Sequence, residues 1–147
     1  MKCPFCREST TDVFNSRSTH FGTQIWRRRK CLSCNESFTT YEAPDLGFLK
    51  VTKPGRHSQP YSRAKLYSSI YAAFLDVPAK ETAVDGLTDT IEAKILDTKS
   101  PSIKTEEIAA IVLSSLKRFN TTAFVRYLST QTDLASAAQL KRELKKY

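Results

Sequence analysis

Cys3-Pro-Phe-Cys6 and Cys31-Leu-Ser-Cys34 are two Cys-x-x-Cys pairs, and they use all four cysteines of the 147-residue chain. Two such knuckles can set four thiolates around one tetrahedral Zn²⁺, a structural site with no open coordination position. The spacer between them holds 24 residues, slightly more than the usual zinc-ribbon range, and implies an extra hairpin loop. A segment of about 40 residues is normally too small to fold on apolar burial alone. Residues 1–46 are therefore expected to form a metal-dependent module. Two disulfides are the first alternative, but the chain opens Met1-Lys2-Cys3 without the apolar stretch of a signal peptide. A lone Cys-x-x-Cys could be a redox pair, but two of them in one short segment favour metal, and a catalytic zinc would need a free position that four sulfurs do not leave. His20, inside the spacer, is a weaker ligand candidate than the four evenly placed sulfurs.

Within the spacer, Asp12–Ser16 and Gln24–Arg28 read as the arms of a hairpin, with Phe21-Gly22-Thr23 near the turn. Ser37–Glu42 alternates and is rich in β-formers, predicting a third strand. Ala43–Gly47 reads as a linker. Phe48–Lys53 predicts a further strand, stopped by the turn signal Pro54-Gly55. After Pro60 the period changes to that of helices. Ser62 is a candidate N-cap for a helix burying Leu66, Ile70, Ala73 and Phe74. A second helix is expected over 80–97, with Val84, Leu87, Ile91 and Ile95 in line. A third opens at Thr105 with Ile108, Ile111, Val112 and Leu116 inward. A fourth is capped by Thr122 and carries Phe124, Val125 and Leu128. A fifth is capped by Asp133, with Leu134, Ala137, Ala138, Leu140 and Leu144. The fold class is α+β: a small all-β metal module, then a mostly helical domain over 47–137 introduced by a strand hairpin, then a basic helical tail over 138–147.

The net charge of +8 is unevenly spread. Residues 48–66 carry five basic side chains and no acidic one, whereas 67–137 carry seven basic against nine acidic. Such clustering points to anionic partners. No apolar run approaches the ~20 residues of a membrane span, so a reducing cytoplasm is the expected location. Trp26-Arg27-Arg28-Arg29-Lys30 leads directly into Cys31. On a strand, Arg27 and Arg29 share one face, where guanidinium groups can clamp phosphates or reach a guanine edge. Trp26 and Phe14 offer stacking or wedge surface. Lys53 and Lys65 would converge if the hairpin folds back over the first helix, and together could hold a triphosphate. Charge alone fits a plain basic hairpin as well. There is no Walker A motif and no Gly-x-Gly-x-x-Gly. His20 and His57 lack a recognisable nucleophile partner, and Glu106-Glu107 suits the first turn of a helix, so no enzyme is expected.

The two knuckles, the arginine run into Cys31 and Phe38-Thr39-Thr40-Tyr41-Glu42 resemble the zinc ribbon of the NrdR family, bacterial regulators of ribonucleotide reductase genes. Val51-Thr52-Lys53 with Lys65-Leu66, then Ile103–Ile108 and Ala123–Tyr127, resemble the ATP-cone of the same family. The resemblance implies one Zn²⁺ on Cys3, Cys6, Cys31 and Cys34. It implies double-stranded operator DNA against Arg17, Arg27, Arg28 and Arg29, and ATP or dATP held by Val51, Lys53, Arg56, Lys65 and Tyr127. It further implies a nucleoid-associated homo-oligomer whose assembly follows the nucleotide. The chain departs from the family pattern at Asn15, Trp26, Ser37, Pro54, Gln59-Pro60-Tyr61, Phe124 and Ser129–Thr132. The rival reading is a general zinc-ribbon nucleic-acid binder whose helical half is an interaction platform.

Overall fold

Three antiparallel strands, Thr11–Thr19 (β1), Gln24–Cys31 (β2) and Ser37–Glu42 (β3), form one sheet in the order β1-β2-β3. The computed structural model describes residues 1–55, 57–75, 77–78, 80–132 and 136–147. It divides the chain into two units, Met1–Asp45 and Leu46–Tyr147.

In the first unit β1 and β2 extend the expected hairpin arms, and β3 coincides with the expected third strand. Their tip is sharp. His20, Phe21 and Gly22 all have positive φ (48°, 57° and 90°), and the Thr23 hydroxyl and amide both donate to the His20 carbonyl, at 2.7 and 3.1 Å. Across β1 and β2 the register shifts between Val13 and Asn15, so Phe14 is the extra residue of a bulge. Nearly all of β1 is exposed. The only buried apolar side chains in residues 1–45 are Cys3 and Cys31. This unit has no hydrophobic core to hold it.

The second unit has one. Lys50–Thr52 (β4) pairs antiparallel with Gln59–Pro60 (β5) and parallel with Ser102–Lys104 (β6). The helices among the described residues are α1 (Arg63–Ala73) and α2 (Lys80–Asp97), between β5 and β6, and α3 (Thr105–Phe119), α4 (Thr121–Gln131) and α5 (Ala137–Leu144), after β6. Ile70, Phe74, Val84, Ile91, Ile95, Val112, Leu116 and Leu128 are essentially sealed from solvent. Each such side chain stabilises the fold by about 1.5–3 kcal/mol relative to exposure. Leu140, Leu144 and Tyr147 pack onto this core, and the Tyr147 ring meets Phe124 edge-on at 6.2 Å.

Several expectations need correction. The strand expected over 48–53 is only Lys50–Thr52, because Leu46–Phe48 turn as a 3-10 segment that buries Leu46 and exposes Phe48. Leu46 belongs to the second unit rather than to a free linker. Ser62 sits at the start of α1 without a side-chain cap bond. The cap of α4 is Asn120, whose side-chain oxygen accepts the Ala123 amide at 2.9 Å, and not Thr122. Val125 faces solvent. Asp133 and Leu134 lie outside the described residues, and Ser136 caps α5 by accepting the Gln139 amide.

A carboxylate is buried in the helical unit. Glu92 on α2 is 9 % exposed. Its carboxylate accepts the Tyr61 hydroxyl at 2.9 Å and pairs with the Arg63 guanidinium. Arg63 also reaches Asp89 at 2.7 Å and Asp85 at 2.8 Å. Burial works against the Arg63 charge, but Glu92 and then Asp89 more than restore it. Burial and then the Glu92 charge push the Tyr61 phenol well above its ordinary range. A buried carboxylate is stable only when paired and hydrogen-bonded in this way. The network ties the start of α1 to the middle of α2.

Candidate metal centre, nucleotide pocket and nucleic-acid face

The two knuckles are built alike. The Cys3 amide donates to the Glu8 carbonyl and the Arg7 amide returns to the Cys3 carbonyl. Cys31, Glu36 and Asn35 repeat that pattern. Arg7 and Asn35 both take positive φ (67° and 62°), the backbone turn that folds each loop over its own sulfurs. All four Sγ atoms lie within 4.8 Å of one another, with Cys3–Cys34 at 3.7 Å and Cys6–Cys31 at 3.6 Å. A tetrahedron of Zn–S bonds of about 2.3 Å has edges of about 3.8 Å, so the spacing fits a zinc ion. It is far beyond the ~2.05 Å of a disulfide, and all four thiols are free. His20, at the hairpin tip, is not in the cluster. The backbone amide of Cys34, against burial, lowers Cys31 to about 6. For Cys34 the Glu36 amide pulls down, but burial and hydrogen bonds with neighbouring sulfurs push it up to about 12. Thiols this close cannot all ionise by themselves, and a divalent cation lets them do so.

The second unit holds a cavity of about 260 Å³ between β4, α1, α3 and α4. Val51, Lys53, Lys65 and Tyr127 all line it, so four of the five expected nucleotide residues are brought together. The fifth, Arg56, lies outside the described residues. Val51, Leu66, Ile108 and Ala109 supply apolar wall, and Gln59, Tyr61, Thr105 and Gln131 add polar groups that were not among the expected nucleotide residues. Gln59 accepts Lys65 Nζ at 3.1 Å, and the Thr105 hydroxyl donates to the Thr52 carbonyl at 2.9 Å. Burial raises the Tyr127 phenol, with Ser69 partly offsetting it. Lys53 also lines an adjoining open cup of about 710 Å³ with His57, Lys104 and Glu106. An apolar slot beside a cationic cup suits a purine joined to a phosphate chain.

Strand register sorts the ribbon's cations onto two faces. Directly paired residues share a face. Arg17, Trp26 and Tyr41 form one row across the sheet, and Asn15, Arg28 and Thr39 the next. Arg27 lies opposite Ser16 and Thr40, on the other face, with Arg29 opposite Val13 and Phe38. The four expected arginines are thus split in pairs. Arg27 bridges to Glu42 at 2.9 Å, Arg28 donates to Thr39 at 3.0 Å, and Arg29 donates to Thr40 at 3.1 Å. The Arg17 guanidinium lies 4.5 Å from the Trp26 ring centroid.

Comparison with known proteins agrees with this geometry unit by unit. Residues 1–42 match the family model described as the N-terminal domain of transcriptional repressor NrdR-like proteins, and residues 49–138 match the ATP cone domain. The chain belongs to the NrdR family. Transcriptional repressor NrdR of Albidiferax ferrireducens is 36 % identical over 141 residues, covering 96 % of this chain and 95 % of that one. NrdR of Bordetella avium is 38 % identical over 129 residues, 88 % and 81 % of the two chains. NrdR of Pelotomaculum thermopropionicum is 34 % identical over 145 residues, 99 % and 87 %. These NrdR relatives are named as repressors, and the family is not one of enzymes. The four-cysteine cluster is the metal site of an NrdR zinc ribbon, and the second unit is an ATP cone that binds nucleotide. No helix among the described residues is long and apolar enough to cross a membrane.

Proposed function

We propose that this NrdR protein represses ribonucleotide reductase genes by binding operator DNA through its ribbon, with its oligomeric state set by ATP or dATP in the cone. The observation that carries the reading is the convergence of Val51, Lys53, Lys65 and Tyr127 on one cavity, in a chain whose other unit carries a metal cluster and an arginine-rich strand. In this reading Lys53 and Lys65 hold phosphates, Val51 and Tyr127 border the base, and Arg56 is assigned to the nucleotide as well. Arg17 and Arg28 on one sheet face, with Arg27 and Arg29 on the other, let a narrow β-ribbon meet DNA with both sides. The protein acts in the cytoplasm, where the thiols stay reduced and DNA is at hand. Nucleotide control requires that ATP and dATP stabilise different assemblies, since a ligand with equal affinity for both shifts nothing.

Arg28→Ala/Arg29→Ala tests the DNA side, one residue from each face. Binding of the dATP-loaded protein to duplex DNA is measured across a salt series. Affinity is expected to fall about 10- to 100-fold, and the slope of log K against log salt to flatten by roughly two, for two lost phosphate contacts. Zinc content stays unchanged. An unaltered slope would remove this sheet from the DNA interface.

A further inference from the structure

Arg17 differs from the other ribbon arginines. Arg27, Arg28 and Arg29 each spend a donor on Glu42, Thr39 or Thr40. Among the described residues Arg17 makes no hydrogen bond and no ion pair. It is exposed on β1, and what it touches is the indole of Trp26, its direct cross-strand partner, with its guanidinium carbon 4.5 Å from the ring centroid. Tyr41 lies opposite Trp26 on the far side of β2 and is 66 % exposed. Cation, indole and phenol therefore stand in one row across three strands. Trp26 is half-buried in that row and is the only tryptophan in the chain.

A guanidinium stacked on an aromatic face keeps its in-plane N–H groups free. Stacking also removes side-chain freedom before any ligand arrives, so less ordering remains to be done on binding. A point charge steering toward phosphate gains little from a fixed plane. A planar fork that must match two acceptors on a guanine edge gains much.

We propose that Trp26 is a positioning residue that holds Arg17 as a preoriented fork for reading a guanine edge in DNA, so that the Arg17–Trp26 pair contributes sequence discrimination rather than bulk affinity. The proposal rests on the reading of the ribbon sheet as the DNA face.

The test uses the intact, zinc-loaded protein with dATP. Wild-type protein first selects duplexes from a randomised library. Affinities for the selected duplex and for the unselected pool are then measured by fluorescence anisotropy for wild type, Arg17→Ala, Trp26→Ala, Trp26→Phe and the Arg17→Ala/Trp26→Ala double variant. Zinc stoichiometry checks that each ribbon is assembled. The expected result is a loss of about tenfold in discrimination for either single alanine variant. The double variant is no worse than Arg17→Ala alone, because Trp26 acts through Arg17, and Trp26→Phe keeps most of the discrimination. Wild-type Trp26 emission also changes on addition of the selected duplex. Losses that multiply in the double variant would overturn the positioning role. Equal losses on both duplexes would make Arg17 a phosphate contact and overturn the specificity claim. Unchanged discrimination, alongside the flattened salt slope of Arg28→Ala/Arg29→Ala, would overturn the proposal and leave the DNA face standing. A wild-type protein that selects no duplex and binds none would overturn both.

Discussion

Cys31→Ser will lose its zinc and unfold residues 1–42, while the helices of the cone stay folded. The expectation follows from where apolar surface is buried. In the ribbon unit only Cys3 and Cys31 are buried among the apolar side chains, and the sheet leaves Phe14, Phe21 and Tyr41 largely in water. The metal must supply what a core would. Apparent binding energies of structural zinc in small modules are about 10–16 kcal/mol at neutral pH. Loss of one of four thiolates removes much of that and leaves three close sulfurs without a complete shell. The cone draws its stability from a separate apolar cluster running from Leu46 to Leu128, and the two units are distinct. Metal analysis should fall from one zinc per chain to well below one. Trp26 emission should shift toward that of a solvated indole, while far-UV circular dichroism retains its helical signal and a cooperative melt. A ribbon that keeps its native sheet without metal would show that something other than zinc holds it.

Lys53→Ala should lower triphosphate affinity by about 10- to 100-fold, as expected for losing a charge-assisted hydrogen bond of about 1.5–3 kcal/mol. Lys53 is the residue shared by the apolar cavity and the cationic cup, where the proposed reading puts the join between nucleoside and phosphate chain. The loss should therefore be larger for dATP than for deoxyadenosine, which offers no phosphate to lose. Isothermal titration of both ligands against wild type and variant measures this difference directly. Zinc content and ribbon fluorescence should not move. Equal losses for the two ligands would mean that the substitution damaged the pocket as a whole, and undiminished dATP binding would place the phosphates elsewhere.

Parts of this arrangement are legible in the chain itself, and the reasons differ by element. The knuckles are readable because ligand geometry is encoded in a spacing of a few residues, and nothing distant is needed to interpret it. α2 is readable to its ends because Pro78 precedes it, Pro101 follows, and Val84, Leu87, Ile91 and Ile95 keep the helical period. β6 is not readable. It is three residues long, and it exists because Val51 pairs with Ile103 across half a domain, a partnership no local pattern announces. The Phe14 bulge hides the opposition of Val13 and Arg29 in the same way, since one inserted residue changes which side chains face each other. Asn120 and Thr122 are both cap formers by residue type, Asn the better of the two, and the extended backbone at Asn120 sets the cap there. The Tyr61–Glu92–Arg63 network joins residues about thirty apart in sequence, so its acids look like ordinary surface charges when read along the chain. Of the pocket, the lysines stand out by charge. Gln59, Tyr61, Thr105 and Gln131 carry no such signal and emerge only when β4, α1, α3 and α4 close around the cavity.

Native mass spectrometry of the full-length protein, with ATP and then with dATP, puts the central claim to its most direct test. Ligand count, zinc count and number of copies are read from one spectrum. The account predicts one zinc per chain throughout, adenine nucleotide in the cone, and a different assembly size with dATP than with ATP. The same distribution of assemblies with either nucleotide, at saturating occupancy of the cone, would contradict it.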